Sequence, residues 1–126
     1  MIRFLTPQEL LQIAQTLPGD PACLDLGVSD AVCARVQAHY MGRDVYASDW
    51  LKAAAMLETI ALHEPLEAKN QFFAWLVAET FLNTNGVTLD YEPEEAVALV
   101  MRAKHKGARV RRHRGPRRRP RYRPPA

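Results

Sequence analysis

The residues best able to do chemistry stand in one short run, His63-Glu64-Pro65-Leu66-Glu67-Ala68-Lys69-Asn70-Gln71. A histidine is followed there, seven positions later, by an asparagine. Segments with helical periodicity lie on both sides, so the run predicts a helix C-terminus, a polar loop and a second helix N-terminus. Unpaired backbone N–H groups and the positive end of a helix dipole meet at such a mouth, which suits a phosphate. An unprotonated imidazole beside it can take the proton from a hydroxyl that attacks phosphorus. Without a ligand the same residues have ordinary readings. His63 is then a charge–dipole contact, Asn70 an N-cap and Glu67 a solvated loop residue.

Five helices are expected to position this run. Thr6-Pro7 with Glu9 forms a capping box, and Leu10, Leu11, Ile13, Ala14 and Leu17 give the first helix an apolar stripe ended by Pro18-Gly19. Residues 19–27 read as a loop, and a short helix then runs from near Ser29 to about His39. After a connection from Gly42 to Ala47, Ser48 caps a third helix, Asp49 to about Leu62, with Leu51, Ala54, Ala55, Leu57, Ala61 and Leu62 at helical spacing. The fourth, Asn70 to Asn85, is apolar on most sides and belongs at the centre, with Phe72, Phe73, Trp75 and Phe81 in the core and Asn85-Gly86 as a left-handed cap. Glu92-Pro93-Glu94-Glu95 opens a fifth helix closed by Arg102 and Lys104. Strand signals are weak, and Phe4 and Val87-Thr88-Leu89 allow brief pairing at most. The expected fold is all-α, a small orthogonal helical bundle around a buried central helix.

Composition sets outer limits. The 126 residues suffice for one core, and 48 % are apolar. Residues 1–101 carry 5 basic and 14 acidic side chains, a net −9, whereas residues 102–126 carry 12 basic and none acidic. The expected organisation is therefore a helical domain over 1–106 and a disordered Arg/Pro-rich segment over 107–126. Such a segment could bind nucleic acid electrostatically, without sequence readout, and with one aromatic residue, Tyr122, it has little to stack on bases. The run also resembles GC-rich DNA translated out of frame. Cys23 and Cys33 read as buried free thiols in a reducing compartment. His39, His105 and His113 have no evident partner in sequence and read as surface residues. No secretory leader or membrane-spanning run is evident, which predicts a cytoplasmic protein that makes no membrane contact.

The helix–loop–helix resembles the Fic/Doc family, in its short death-on-curing (Doc-like) toxin branch. Outside the loop the resemblance rests on Leu5-Thr6-Pro7-Gln8-Glu9-Leu10-Leu11, on Asp25-Leu26-Gly27-Val28 with Ala34-Arg35-Val36-Gln37, on Asp49-Trp50-Leu51-Lys52-Ala53-Ala54-Ala55, and on Ala74-Trp75, Phe81-Leu82 and Asn85-Gly86-Val87. It covers roughly residues 1–103. Within the loop the family pattern, H-[PX]-F-X-[DN]-[AG]-N-K-R, fits in two ways. Counted forward from His63, Glu67 takes the acidic position, Lys69 the asparagine and Gln71 the arginine. Counted back from Trp75, Glu64 is an extra residue, Leu66 fits the phenylalanine and Asn70 the asparagine, with Ala68 at the acidic position and Gln71 at the lysine. The second placement is preferred, because the register of a packed helix is harder to change than loop length. Neither placement retains the arginine, and the loop is a degraded form of the motif.

The resemblance implies a toxin of a toxin–antitoxin system that transfers a phosphoryl or nucleotidyl group from ATP, or another nucleoside triphosphate, to a protein hydroxyl. It implies His63 as general base, Asn70, Lys69 and Gln71 at the phosphates, and Glu67 as the ligand of Mg²⁺. The implied partners are an antitoxin segment that docks in a groove and a protein substrate such as translation elongation factor Tu. The degraded loop leaves a second expectation open, a Doc-like binding module without turnover.

Overall fold

The computed structural model describes residues 1–112, with side chains described through His105. Helix α1 spans Pro7–Gln15 and starts as its sequence dictates. The Thr6 hydroxyl accepts from the Glu9 N–H at 3.2 Å, and the Glu9 carboxylate accepts from the Thr6 N–H at 3.1 Å. Helix α2 spans Leu26–Val36, three residues ahead of the expected start at both ends. Asp25 is its cap, with Oδ1 accepting from the Gly27 N–H at 3.1 Å. A Cβ at position 27 would lie 3.2 Å from that oxygen, so glycine gives the cap its room.

The connection between α2 and the next helix holds a structure that the sequence conceals. Strands β1 (His39–Tyr40) and β2 (Arg43–Asp44) pair antiparallel across Met41-Gly42. Both turn residues have positive φ, +51° and +78°, as a tight two-residue hairpin turn requires. His39 was expected to end a helix; it is strand, and Phe4 does not pair with Val87–Leu89. Both of those segments instead lend side chains to the core edge.

Helix α3 (Asp49–His63), helix α4 (Asn70–Thr84) and helix α5 (Pro93–Arg112) complete the all-α bundle. Ser48 caps α3 through the Leu51 N–H at 3.1 Å. At the end of α4 the Val87 N–H reaches Leu82 O at 2.9 Å and the Gly86 N–H reaches Asn83 O at 3.1 Å, with Gly86 at φ +85°. That double closure is a Schellman cap. α3 packs against α2, α4 and α5, while α4 packs against α1, α3 and α5, so the centre is the α3–α4 pair and not α4 alone.

The buried face of α3 runs through Lys52, Ala53, Ala55, Met56, Leu57, Thr59, Ile60 and Ala61. Leu51 and Ala54, expected on that face, are exposed. On α4 the buried stripe is Asn70, Phe73, Ala74, Val77, Ala78, Phe81 and Leu82. Phe72 is 57 % exposed, because it stands beside that stripe. Helix α5 does not close at Lys104. It continues to Arg112, so the change expected at residue 107 falls inside a helix. Lys, Arg and Ala propagate an established helix at little cost. The remainder of the expected disordered segment, residues 113–126 with His113, lies outside the described residues.

Candidate active site

His63 occupies the last turn of α3 and is exposed. Glu64 follows as the C-cap, with left-handed backbone at φ +46°, and turns the chain into residues 65–69. These residues are pinned on one side by the segment that leads into α2. The Leu24 and Asp25 N–H groups donate to Pro65 O at 2.7 and 3.2 Å. The Glu67 N–H donates to Ala22 O at 2.9 Å, and the Glu67 carboxylate accepts from the Ala22 N–H at 2.8 Å. A single β-bridge joins Cys23 to Leu66. Pro65 and Leu66 are buried beneath this clamp.

Asn70 pins the other side. It is the first residue of α4 and is 8 % exposed. Its Oδ1 accepts from the Leu66 N–H and its Nδ2 donates to Leu66 O, both at 2.9 Å. The N-cap is Lys69, left-handed at φ +65°, and no side chain caps the helix. The expected N-cap role of Asn70 is thereby corrected. A left-handed lysine cannot turn a short acceptor onto the first-turn amides, and Asn70 spends its side chain on the loop. Among the described residues no side chain accepts from the first-turn amides of α4, which is the chemistry an anion uses.

The fold therefore places His63 and the α4 N-terminus at the two ends of one clamped strap. Lys69 and Glu67 are exposed on it, and Gln71 is half-buried one residue into α4. A groove of about 390 Å³ between α1 and α4, lined by Leu5, Ile13, Leu76 and Thr80 among others, shares no residue with the strap.

Three polar contacts, of which the first lies at the site, were not legible in sequence. Lys104 of α5 forms an ion pair with Glu64, beside His63. Below the hairpin, Lys52 is 1 % exposed and donates to Tyr46 O and, at 3.2 Å, to Asp44 Oδ2. Its ammonium, by hydrogen bond and by charge, holds the Asp44 carboxyl below its ordinary range, and His39 adds to this from 2.9 Å. His39 thus has a partner that sequence did not supply. Arg35 fans out to Tyr46 Oη at 2.6 Å, Thr59 Oγ1 at 2.7 Å and Glu58 at 3.1 Å. Burial opposes its charge, yet the Tyr46 and Glu58 contacts outweigh that and hold the guanidinium above its usual pKa. A lysine four residues after a helix cap reads as surface until the hairpin is in place to cover it. Both cysteines are free; Cys33 is buried, which together with Asp30 and Glu9 pushes its thiol up to about 11, while Cys23 is half-buried.

No helix among the described residues is long and apolar enough to cross a membrane. No family profile matches the chain. A curated protein named Toxin Doc, from Mycolicibacterium smegmatis, is 36 % identical over 103 residues, covering 79 % of each chain. The chain belongs to the Doc toxin family.

Proposed function

We propose that the chain is the toxin of a toxin–antitoxin pair and transfers a phosphoryl or nucleotidyl group from ATP, or another nucleoside triphosphate, to a protein hydroxyl. The observation that carries this reading is the strap that joins His63 to the uncapped N-terminus of α4, in a chain 36 % identical to Toxin Doc. The hydroxyl oxygen bonds to phosphorus as the bond to the bridging oxygen breaks, and that electron pair leaves with the nucleotide or pyrophosphate. His63 takes the hydroxyl proton. The α4 amides, Lys69 and Gln71 hold the phosphates, with Asn70 keeping the strap in place. Glu67 would hold Mg²⁺ through the oxygen not given to Ala22, and one carboxylate plus phosphates is a normal donor set for that ion. When bound, the ion would supply neutralisation of phosphate charge. An antitoxin segment and a translation elongation factor are the partners this reading entails.

Radioactive ATP incubated with the protein and a cell lysate tests it. Label from the γ position marks phosphoryl transfer and label from the α position marks nucleotidyl transfer. His63→Ala should abolish either, and equal labelling by that variant ends the proposal.

A second reading, a Doc-like module that binds without turnover, is favoured by the missing arginine and by the commitment of the Asn70 amide to Leu66. Under it no label is transferred, and a melting temperature that does not rise with ATP and Mg²⁺ favours it over the first.

A further inference from the structure

The strap is short of positive charge. Between residues 63 and 84, Lys69 is the only lysine or arginine, while Glu64, Glu67 and Glu79 are acidic. The rest of the body is acidic as well, and a triphosphate approaching such a surface is repelled. Helix α5 alters this locally. It packs against both α3 and α4 and brings Lys104 Nζ onto the carboxylate of Glu64, the residue after His63. The two side chains are 35 % and 42 % exposed, so the pair is reachable by solvent and weakly held. From Arg102 onward every charged residue is basic, so the positive end of the molecule begins where α5 passes the site.

We propose that Lys104 is a second phosphate-binding cation of this site beside Lys69, supplied from α5 in place of the arginine that the strap lacks. The inference rests on the transferase reading above. Nζ exchanges the Glu64 carboxylate for phosphate oxygens when a triphosphate lies at the mouth of α4, a swing that the four-carbon lysine stem permits. Glu64 then acts as a competing anion that holds Lys104 when no nucleotide is bound.

The two partners of the pair give opposite expectations, which a purely structural ion pair cannot do. Affinity of the full chain for ATP with Mg²⁺ is measured by titration calorimetry, alongside each variant's nucleotide-free melting temperature. Lys104→Ala should bind about tenfold more weakly, the loss of one charge-assisted contact, and Lys104→Arg should stay near wild type. Glu64→Gln should bind more tightly, because the competing carboxylate is gone. Both Lys104→Ala and Glu64→Gln remove the pair, so their nucleotide-free melting temperatures should move alike. Affinities that move in the same direction, or an unchanged affinity in Lys104→Ala, overturn the proposal and leave the transferase reading standing. A wild-type chain with no measurable ATP affinity overturns both.

Discussion

Asn70 gives both ends of its amide to one residue, and this decides what its removal costs. Leu66 is 2 % exposed, so its N–H and C=O have no water to turn to when the amide goes. Asn70→Ala should lower stability by about 2–4 kcal/mol, the cost of leaving two buried backbone groups unpaired, read from denaturant unfolding. Should the variant unfold at the wild-type midpoint, the strap is held by its clamp to residues 22–25 alone. Asp44 gives a pH test of the same kind. Its carboxyl is held below the ordinary range by Lys52, so the unfolded chain takes up a proton before the folded chain does. The stabilisation is therefore complete above about pH 4 and is lost as pH falls through the lowered folded value. Asp44→Asn should remove that acid limb, leaving hairpin amide signals that no longer shift in NMR spectra as pH falls below about 4. A limb that persists in the variant assigns it to another carboxyl. Cys33, with its raised pKa, adds nothing to either test because it stays a neutral thiol throughout this range.

Between elements, burial depends on which neighbour arrives, and a single strand of sequence shows this only in part. On α4 the apolar residues run nearly all round, so periodicity cannot select the buried stripe, and Phe72 and Phe73 look equivalent. In the bundle Phe73 is 2 % exposed against α3 while Phe72 is 57 % exposed. Phe73→Ser should cost about 3–5 kcal/mol, and Phe72→Ser should fall within about 0.5 kcal/mol of wild type, measured by thermal unfolding. Equal losses would mean that Phe72 is covered in solution. The features legible in sequence were those set by local chemistry, namely the Thr6–Glu9 capping box, the Ser48 cap, the starts of α3 and α4, and the Gly86 closure. The Asp25 cap was missed because Leu26 and Gly27 read as loop before a helix that begins beneath them. The hairpin was missed because two residue pairs carry no alternating pattern, and its turn uses Met41 where asparagine would have marked it. Lys52 followed from that omission: a charge can be placed inside only when the carbonyl and carboxylate that receive it are known to be overhead. The site divides in the same way. His63 and Asn70 were readable as the ends of a helix–loop–helix, whereas the clamp from residues 22–25 and the approach of Lys104 belong to tertiary structure.

At the scale of the whole molecule, charge is the dominant asymmetry, with a net −9 over residues 1–101 and 12 basic residues with no acidic ones beyond. Helix α5 spans the boundary. Its first turn carries Glu94 and Glu95, its Ala96 and Val100 are buried in the bundle, and its Lys104 meets Glu64. The helix is therefore anchored well before its last residue, Arg112, and a chain that ends there keeps every contact described above. Removing residues 113–126 should leave the melting temperature within about 2 °C, since every contact described above lies within residues 1–112. The same truncation removes six arginines, Arg114, Arg117, Arg118, Arg119, Arg121 and Arg123. If these contact phosphates of duplex DNA, binding measured by fluorescence anisotropy should weaken with added salt along a slope that the truncation reduces by up to about 5 in log–log terms. Sequence should matter little, because contacts to phosphates carry no sequence information. An unchanged slope would place any DNA contact on the basic residues of α5 itself, among them Lys104 beside Glu64. DNA would then compete with ATP for the same cations, and the truncated chain would show that competition as clearly as the full one.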